Sequence, residues 1–316
     1  MPKRQTAAAA PDPLATAQDE VFFQVFRLAR LHGELLGDGP LRAGAGRRYG
    51  GGRAMFHFVR EAACEATVEP LPGARGRSVR LRLQPDELLI LPHGHAHRIA
   101  LPARGAAAEL TSGVFAIEGV GGEALMRALP PTLHARSAAC ERAGADGAAQ
   151  WLALTFAAMR KETREPSIGS RIMLARLIDM VFIWSVRHWL ASAPPGPPGW
   201  LGALRDPLVG RALALLHAEP AHAWSVEALA ARLHQSRSGL AQRFAREVGE
   251  PPMRYLGRWR MQLAADALAR SHLLVAQVAE RVGYASEAAL ARSFRREFGM
   301  SPSQYRASAR ERGGAV

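Results

Sequence analysis

Apolar and polar positions alternate closely in the first half of the chain and recur every three to four residues in the second. Met55, His57 and Val59 alternate with Phe56, Phe58 and Arg60, and Val79, Leu81 and Leu83 alternate with Arg80 and Arg82. Leu88 to Leu91 is a buried-strand run closed by the turn signal Pro92-His93-Gly94, and Val114 to Ile117 is a further strand. Gly and Pro punctuate these runs, which predicts a small β-barrel or sandwich with an opening helix, Val21 to Leu31, packed on it. Residues 1–19 show no periodicity and read as a disordered tail. From Ala148 the helical period takes over, first in Trp151 to Lys161 and then in Ile172 to Trp189. The second helix is apolar over more than one face. A surface helix buries one stripe, so its second face asks for a second partner, either a copy of the chain or more of its own domain. Ala193-Pro194-Pro195-Gly196-Pro197-Pro198-Gly199 suits neither helix nor strand and reads as a linker. The expected organisation is multidomain α+β. It comprises the tail 1–19, a β-barrel or sandwich domain 20–145, a helical coupling or dimerisation segment 146–192, a Pro/Gly linker 193–203 and an all-α domain 204–316.

The all-α domain contains a repeat. Leu229-Ala230 and Arg232-Leu233 return as Val278-Ala279 and Arg281-Val282 at an offset of 49. Ser236, Leu240, Ala241, Phe244, Glu247, Gly249, Pro252 and Tyr255 return as Ser286, Leu290, Ala291, Phe294, Glu297, Gly299, Pro302 and Tyr305 at an offset of 50. The added residue falls in the turn between two helices, where insertion costs least. Each copy reads as helix, tight turn, helix. Ser225, Ser236 and Ser286 are N-caps, Trp224 and Leu229 form a hydrophobic staple, and Gly249 and Gly299 end helices. Leu229, Leu233, Leu240 and Phe244 are spaced to close one small core. Ser301-Pro302-Ser303-Gln304 opens the last helix with a capping box. Between the copies, Met253 to Ala269 is a helix of roughly 25 Å. Such a rod suits two recognition helices set one duplex turn apart in the major groove of DNA, reading a direct repeat.

Charge changes the picture in the same direction. The chain carries 41 Lys+Arg against 28 Asp+Glu, a net +13. Only Lys3 and Lys161 are lysines, so the excess is arginine, whose planar guanidinium matches phosphate oxygens. Residues 201–316 hold 17 arginines and 10 acidic residues, a net +7. Two cysteines, Cys64 and Cys140, exclude a disulfide scaffold and a cysteine zinc finger. They read as ordinary thiols, with a redox pair as the sharper alternative. No apolar run follows Met1-Pro2-Lys3-Arg4, and Ile172 to Val186 is too short and too charged to span a bilayer. A cytoplasmic protein without membrane partners is expected.

The repeat resembles the double helix-turn-helix domain of the AraC/XylS transcriptional regulators. The resemblance rests on Leu229-Ala230, Ser236-Arg237-Ser238, Phe244, Gly249, Tyr255-Leu256, Arg260 to Ala264, Val278-Ala279, Val282-Gly283-Tyr284, Phe294-Arg295-Arg296 and Gly299-Met300-Ser301-Pro302. It implies base-facing positions at Arg237, Ser238, Ala241 and Gln242 in the first unit and at Glu287, Ala288, Ala291 and Arg292 in the second. Gln can pair bidentately with adenine and Arg with guanine, Glu can accept from cytosine, and Ala offers methyl contact. Arg292 has a phosphate contact as its alternative, and Glu287 a favourable place at a helix N-terminus. Arg243, Arg246, Arg254, Arg258, Arg295 and Arg296 are the expected phosphate contacts. Double-stranded DNA, RNA polymerase if the protein activates, an unidentified effector and a second copy are the expected partners.

The first half resembles the cupin-type domain of one AraC subgroup. Pro92-His93-Gly94-His95-Ala96-His97 is similar to the second cupin motif, and Met55, His57 and Glu61 to the first, with Met in place of one His. The resemblance implies a sensor for a small molecule, a metal or a redox signal. It makes His57, Glu61, His93, His95 and His97 candidate ligands for a divalent metal or, with the soft Met55 thioether, Cu(I), although no cofactor is required. If extended, residues 93, 95 and 97 would point to one side. The leading expectation is a regulator and not an enzyme. The alternatives are a metal-dependent cupin enzyme with an appended DNA-binding domain, and a DNA architectural factor.

Overall fold

The computed structural model of the chain describes residues 13–73, 75–103, 107–135, 148–192 and 198–313. Cys140 and the centre of the expected linker, 193–197, lie outside the described residues. The chain forms two compact units, one holding Arg30–Glu118 and Glu123–Pro195, the other Met1–Ala29, Gly119–Gly122 and Gly196–Val316.

Helix α1 spans Pro13–Leu28, so the helix begins inside the expected tail. Ala17, Val21, Val25 and Leu28 fall on one buried stripe, and the Gln18 amide donates to the Leu204 carbonyl at 3.0 Å. That tertiary burial carries the helix back past Asp19. It also ends earlier than expected, because the chain turns into a strand at Arg30.

The first unit contains nine strands among its described residues: β1 (Arg30–Leu41), β2 (Gly46–Tyr49), β3 (Ala54–Arg60), β4 (Cys64–Val68), β5 (Val79–Leu83), β6 (Glu87–Leu91), β7 (His97–Ala100), β8 (Ala108–Glu118) and β9 (Leu133–Ala135). They pair antiparallel in two sheets, ordered β1-β8-β3-β6-β9 and β2-β7-β4-β5. Between the sheets lies a core that includes Leu41, Val59, Ala66, Leu83, Leu89, Leu91, Ile99 and Leu110. Strand β3 is buried on both sides. His57 and Val59 face the space between the sheets, while Phe58 stacks on Phe156 at 4.0 Å and Phe56 lies 6.0 Å from the same ring. This second covering explains why the run has no polar face.

Helix α2 (Gly119–Ala128) follows β8, and α3 (Ala148–Arg164) and α4 (Ser170–Ser192) form the expected helical segment, each slightly longer than its periodicity suggested. Phe156 of α3 and Phe182 of α4 cover the outer face of the five-stranded sheet, Phe182 at 4.9 Å from Phe115. Arg160 reaches Glu109 at 3.4 Å, and Arg164 reaches Asp38 at 3.8 Å. One side of α4 is therefore buried within its own unit. The other leaves Ile172 68%, Met173 51% and Met180 46% exposed.

In the second unit, α1 packs on α6 (Pro207–Ala218), which follows the short α5 (Trp200–Ala203). Helices α7 (Val226–Arg232) and α8 (Arg237–Val248) form the first copy of the repeat. Helix α9 (Pro252–Arg270) follows, then α10 (Val275–Arg281), α11 (Glu287–Phe298) and α12 (Pro302–Gly313). The far half of α9, through Met261, Ala264, Ala265 and Leu268, shares one core with Val278, Ala279, Val282, Leu290 and Phe294 of the second copy. Its near half buries Tyr255, Leu256 and Trp259, so one helix serves as the spine for both copies.

Candidate functional site

In the first copy, the Ser225 hydroxyl accepts from the Ala228 amide at 3.1 Å and the Ser236 hydroxyl from the Gly239 amide at 3.2 Å. Leu229, Leu233, Leu240 and Phe244 are buried as their spacing predicts. That burial fixes the rotation of α8 and turns Arg237, Ser238 and Gln242 outward, with Ala241 half-buried beside them. In the second copy the Ser286 hydroxyl accepts from the Ala289 amide at 3.2 Å, and Leu290 and Phe294 are buried. Glu287, Ala288 and Arg292 of α11 face out, with Ala291 half-buried. Six of the eight candidate base-facing residues are thus exposed, and Ala241 and Ala291 are half-buried beside them.

The arginines divide into two groups. Arg243 is committed to the fold: its Nε donates to Asp206 Oδ2 at 2.8 Å. Asp206 Oδ1 also caps α6, accepting from the Leu208 and Val209 amides at 3.0 Å each. Burial opposes this carboxylate's charge, but the Val209 amide and Arg243 outweigh it and hold its pKa below the ordinary value. The Arg243 guanidinium, expected on phosphate, thus joins α8 to α6 while its side chain stays 43% exposed. Arg237 pairs with Glu227 at 2.6 Å, Arg246 with Glu247 at 2.8 Å, and Arg254 and Arg258 both with Glu250. Among the described residues no ion pair engages Arg292, Arg295 or Arg296, which are exposed on α11.

Sequence reasoning missed a polar group under the first copy. His217 is buried at the end of α6, stacked on Trp259 at 4.1 Å, with Nε2 2.7 Å from the Tyr255 hydroxyl. Burial pushes the His217 pKa down to about 3 and the Tyr255 pKa up, so both are neutral. Either atom of this pair can donate, and the other ring nitrogen, Nδ1, has no hydrogen-bond partner among the described residues. A histidine without a neighbouring ligand motif gives no signal of this in a single sequence.

Inside the barrel, His57, His97, Tyr49 and Ser112 form one hydrogen-bonded chain. His97 Nδ1 lies 2.7 Å from the His95 carbonyl, so it carries the hydrogen and Nε2 is an acceptor. His57 Nε2 lies 2.7 Å from that acceptor and therefore donates. His57 Nδ1 then accepts from Ser112 at 2.9 Å, and Ser112 accepts from the Tyr49 hydroxyl at 3.2 Å. Both imidazoles are neutral in this arrangement. Burial, and then the neighbouring His97, holds the His57 pKa well below the ordinary value, and burial first lowers that of His97.

The five candidate metal ligands are not brought together. Residues 92 and 93 form a turn, so 93, 95 and 97 do not share one extended face. His93 Nε2 donates to the Leu129 carbonyl at 3.0 Å and His95 Nδ1 to the Glu69 carbonyl at 2.8 Å. The turn depends on Gly94, whose φ is 68° and where a Cβ would meet the Arg53 nitrogen at 2.7 Å. Glu61, at φ 70°, is exposed in the bend beyond β3. Of the five, only His57 and His97 are joined by a hydrogen bond between their rings, and the His93 and His95 rings meet edge-on at 6.3 Å. Among the described residues no group of three or more His, Cys, Asp or Glu side chains is placed to hold a metal ion. The residues do not fit the metal that cupin enzymes carry. Cys64 is free and buried, and burial raises its thiol to about 11, while Cys140, the other half of the redox-pair alternative, lies outside the described residues.

Two capped helix-turn-helix units on one spine, with polar and basic faces turned out, define a DNA-binding protein of the double-reader class. The cupin family matches residues 20–191 and a helix-turn-helix domain family matches residues 229–308. An AraC-like transcription regulator of Streptomyces antibioticus is 38% identical over 208 residues, 66% of this chain and 66% of that protein, just under two thirds of its length. One of Streptomyces lividans is 35% identical over 267 residues, 79% of this chain and 86% of that protein. The DNA-binding domain of AdpA, solved with a target DNA, is similar at 36% identity over 33% of this chain and 95% of that chain, with a TM-score of 0.32. The chain belongs to the AraC-like transcription regulators: a cupin domain followed by an AraC-type DNA-binding domain, and not an enzyme. No described helix is long and apolar enough to cross a membrane.

Proposed function

We propose that the protein acts in the cytoplasm as a dimeric, sequence-specific regulator that activates through contact with RNA polymerase. Its two reader helices, α8 and α11, recognise a direct pair of half-elements. The observation that carries this reading is the exposure of Arg237, Ser238, Gln242, Glu287, Ala288 and Arg292, with Ala241 and Ala291 half-buried beside them, on helices whose Leu240, Phe244, Leu290 and Phe294 are buried. Gln242 reads adenine and Arg292 guanine, while Arg243, Arg246, Arg254, Arg258, Arg295 and Arg296 lie on phosphates. The exposed Ile172, Met173 and Met180 face of α4 supports pairing with a second copy.

The barrel is the sensor, and a hydrogen-bonding small molecule is the signal class its interior favours. Tyr49, Ser112, His57 and His97 are directional donors and acceptors in an otherwise apolar enclosure. A ligand acts only by favouring one of two conformations of the protein.

The test is recovery of fragmented host DNA by the full-length protein at near-physiological salt, followed by sequencing. A few sharp sites sharing a direct repeat are expected. For Gln242→Ala, discrimination at one base position is expected to relax by about 1–3 kcal/mol. Equal losses on specific and random DNA would remove Gln242 as a base reader.

A further inference from the structure

We propose that the outer face of the four-stranded sheet β2-β7-β4-β5 grips the phosphate backbone of duplex DNA. It gives the barrel unit its own sequence-independent hold on the nucleic acid that the reader helices engage. The proposal rests on DNA binding by the helical unit and is independent of what the barrel interior takes.

The strand register builds the face. Arg48 of β2 stands directly opposite Arg98 of β7, Arg98 opposite Thr67 of β4, and Thr67 opposite Arg80 of β5. One row across the sheet thus reads Arg, Arg, Thr, Arg. Arg82 lies one row along, opposite Glu65. The alternate positions, among them Ala66, Leu83 and Ile99, belong to the core, while all four arginines are exposed. At about 4.8 Å between strands, the row spans roughly 14 Å. That is long enough to meet several successive phosphates of one DNA strand, spaced about 3.4 Å along the duplex axis.

The charge on this face is nearly uncompensated. Glu65 is the one acidic residue in the four strands, and it lies 3.9 Å from Arg80 in a solvent-exposed pair worth little. Among the described residues no ion pair engages Arg48, Arg82 or Arg98. Like charges directly opposite on neighbouring strands are destabilising, so Arg48 and Arg98 work against the sheet that holds them. Protection of exposed sheet edges accounts for arginines on β2 and β5, but β7 is an inner strand. A polyanion along the row turns the repulsion into charge-assisted hydrogen bonds.

A second observation comes from Gly46, two residues before Arg48 on the same face. The Arg98 guanidinium lies across it, and a Cβ there would meet Nε at 2.6 Å and Cζ at 2.8 Å. The missing side chain seats the guanidinium against the strand, which reduces the freedom it would lose on binding. Duplex DNA fits this face better than an acidic protein surface. All four cations are arginine, whose planar fork matches phosphate oxygens, and the same chain carries the reader helices, which keeps the face at high effective concentration near DNA. The exposed positions of the four strands hold no aromatic side chain on which single-stranded bases would stack.

The test is fluorescence anisotropy of the full-length protein on a random-sequence duplex of about 60 base pairs, across a salt series. Arg48→Gln/Arg98→Gln and Arg80→Gln/Arg82→Gln are each expected to bind about tenfold or more weakly and to lower the slope of log affinity against log salt by about 2. Arg30→Gln/Arg127→Gln removes the same charge from exposed positions on β1 and α2, away from this face. That control is expected to stay within about twofold of wild type, because distant charges are screened. An equal loss in the control would make the effect one of net charge and overturn the site. Unchanged affinity and slope in both face variants, with the wild type binding, would overturn this inference alone. A wild-type protein that fails to bind the duplex would overturn DNA binding by the helical unit as well. Poly-glutamate is the second probe, and face variants that lose only poly-glutamate binding would assign the face to an acidic polypeptide instead. Far-ultraviolet circular dichroism of each variant separates loss of binding from loss of fold.

Discussion

His234 and Gly283 hold the same place in the two reader turns, 49 residues apart, and both are left-handed, with φ of 55° and 81°. The backbone demands this conformation in each copy, but only the second demands glycine. A Cβ at Gly283 would meet the Ala221 backbone at 2.7 Å. Gly283→Ala is therefore expected to cost about 2 kcal/mol or more, from strain and overlap together. His234→Gly is expected to be neutral or stabilising by up to about 1 kcal/mol, relief of the left-handed penalty being partly offset by chain entropy. Thermal midpoints of the two variants check this, and the reverse order would count against it. At His217 the folded pKa of about 3 lies below the ordinary histidine value of 6.5. The unfolded chain binds the proton first, so stability present above pH 6.5 is lost as pH falls toward 3, by up to about 1.4 kcal/mol per unit. Melting of His217→Gln across that window is expected to show a shallower decline. Within the barrel, Ser112→Ala leaves the His57 Nδ1 acceptor without its donor, and denaturant unfolding is expected to show a loss of about 1–3 kcal/mol.

Among elements, the helices of the repeat were the most legible. Their caps, apolar spacing and terminal glycines all point to the same boundaries, and the structure moves those by a residue or so. The strands were legible where the chain alternates, as in β3 and β5, or runs apolar up to a turn signal, as in β6, and less so elsewhere. Strand β1 has no alternating apolar stripe, and its glycines serve contact: at Gly33 a Cβ would overlap the Ile178 side chain. Strand β9, three residues long, is held by pairing with β6 and not by its own pattern. Helix α4 was half legible. Its double apolar character is written in the chain, but contact with the sheet decides which side is spent internally. Ile172→Glu/Met180→Glu is expected to shift the protein toward monomer in analytical ultracentrifugation while leaving its circular dichroism unchanged. A dimer that survives the change would move the pairing surface elsewhere.

Over the whole molecule, the net +13 charge sets a long-range preference for polyanions that needs no particular fold. Its expected signature is steep salt dependence. Arg295→Ala should weaken binding to all sequences alike and lower the slope of log affinity against log salt by about 1. A loss confined to the specific site would instead make Arg295 a base reader. That the chain is a two-part protein with duplicated readers was written in its repeat, its change of period and its Pro/Gly string, because periodicity and turn chemistry are local properties. Which arginines remain free was not. Arg243 looks like Arg246 along the chain, and only the approach of Asp206, 37 residues away, gives it a partner on another helix. The same limit applies to the histidines. Their spacing matches a metal motif, whereas the Pro-His-Gly turn sends His93, His95 and His97 to three different partners. A donor's chemistry belongs to the residue, but its partner is decided by which distant segments the fold brings within hydrogen-bonding reach.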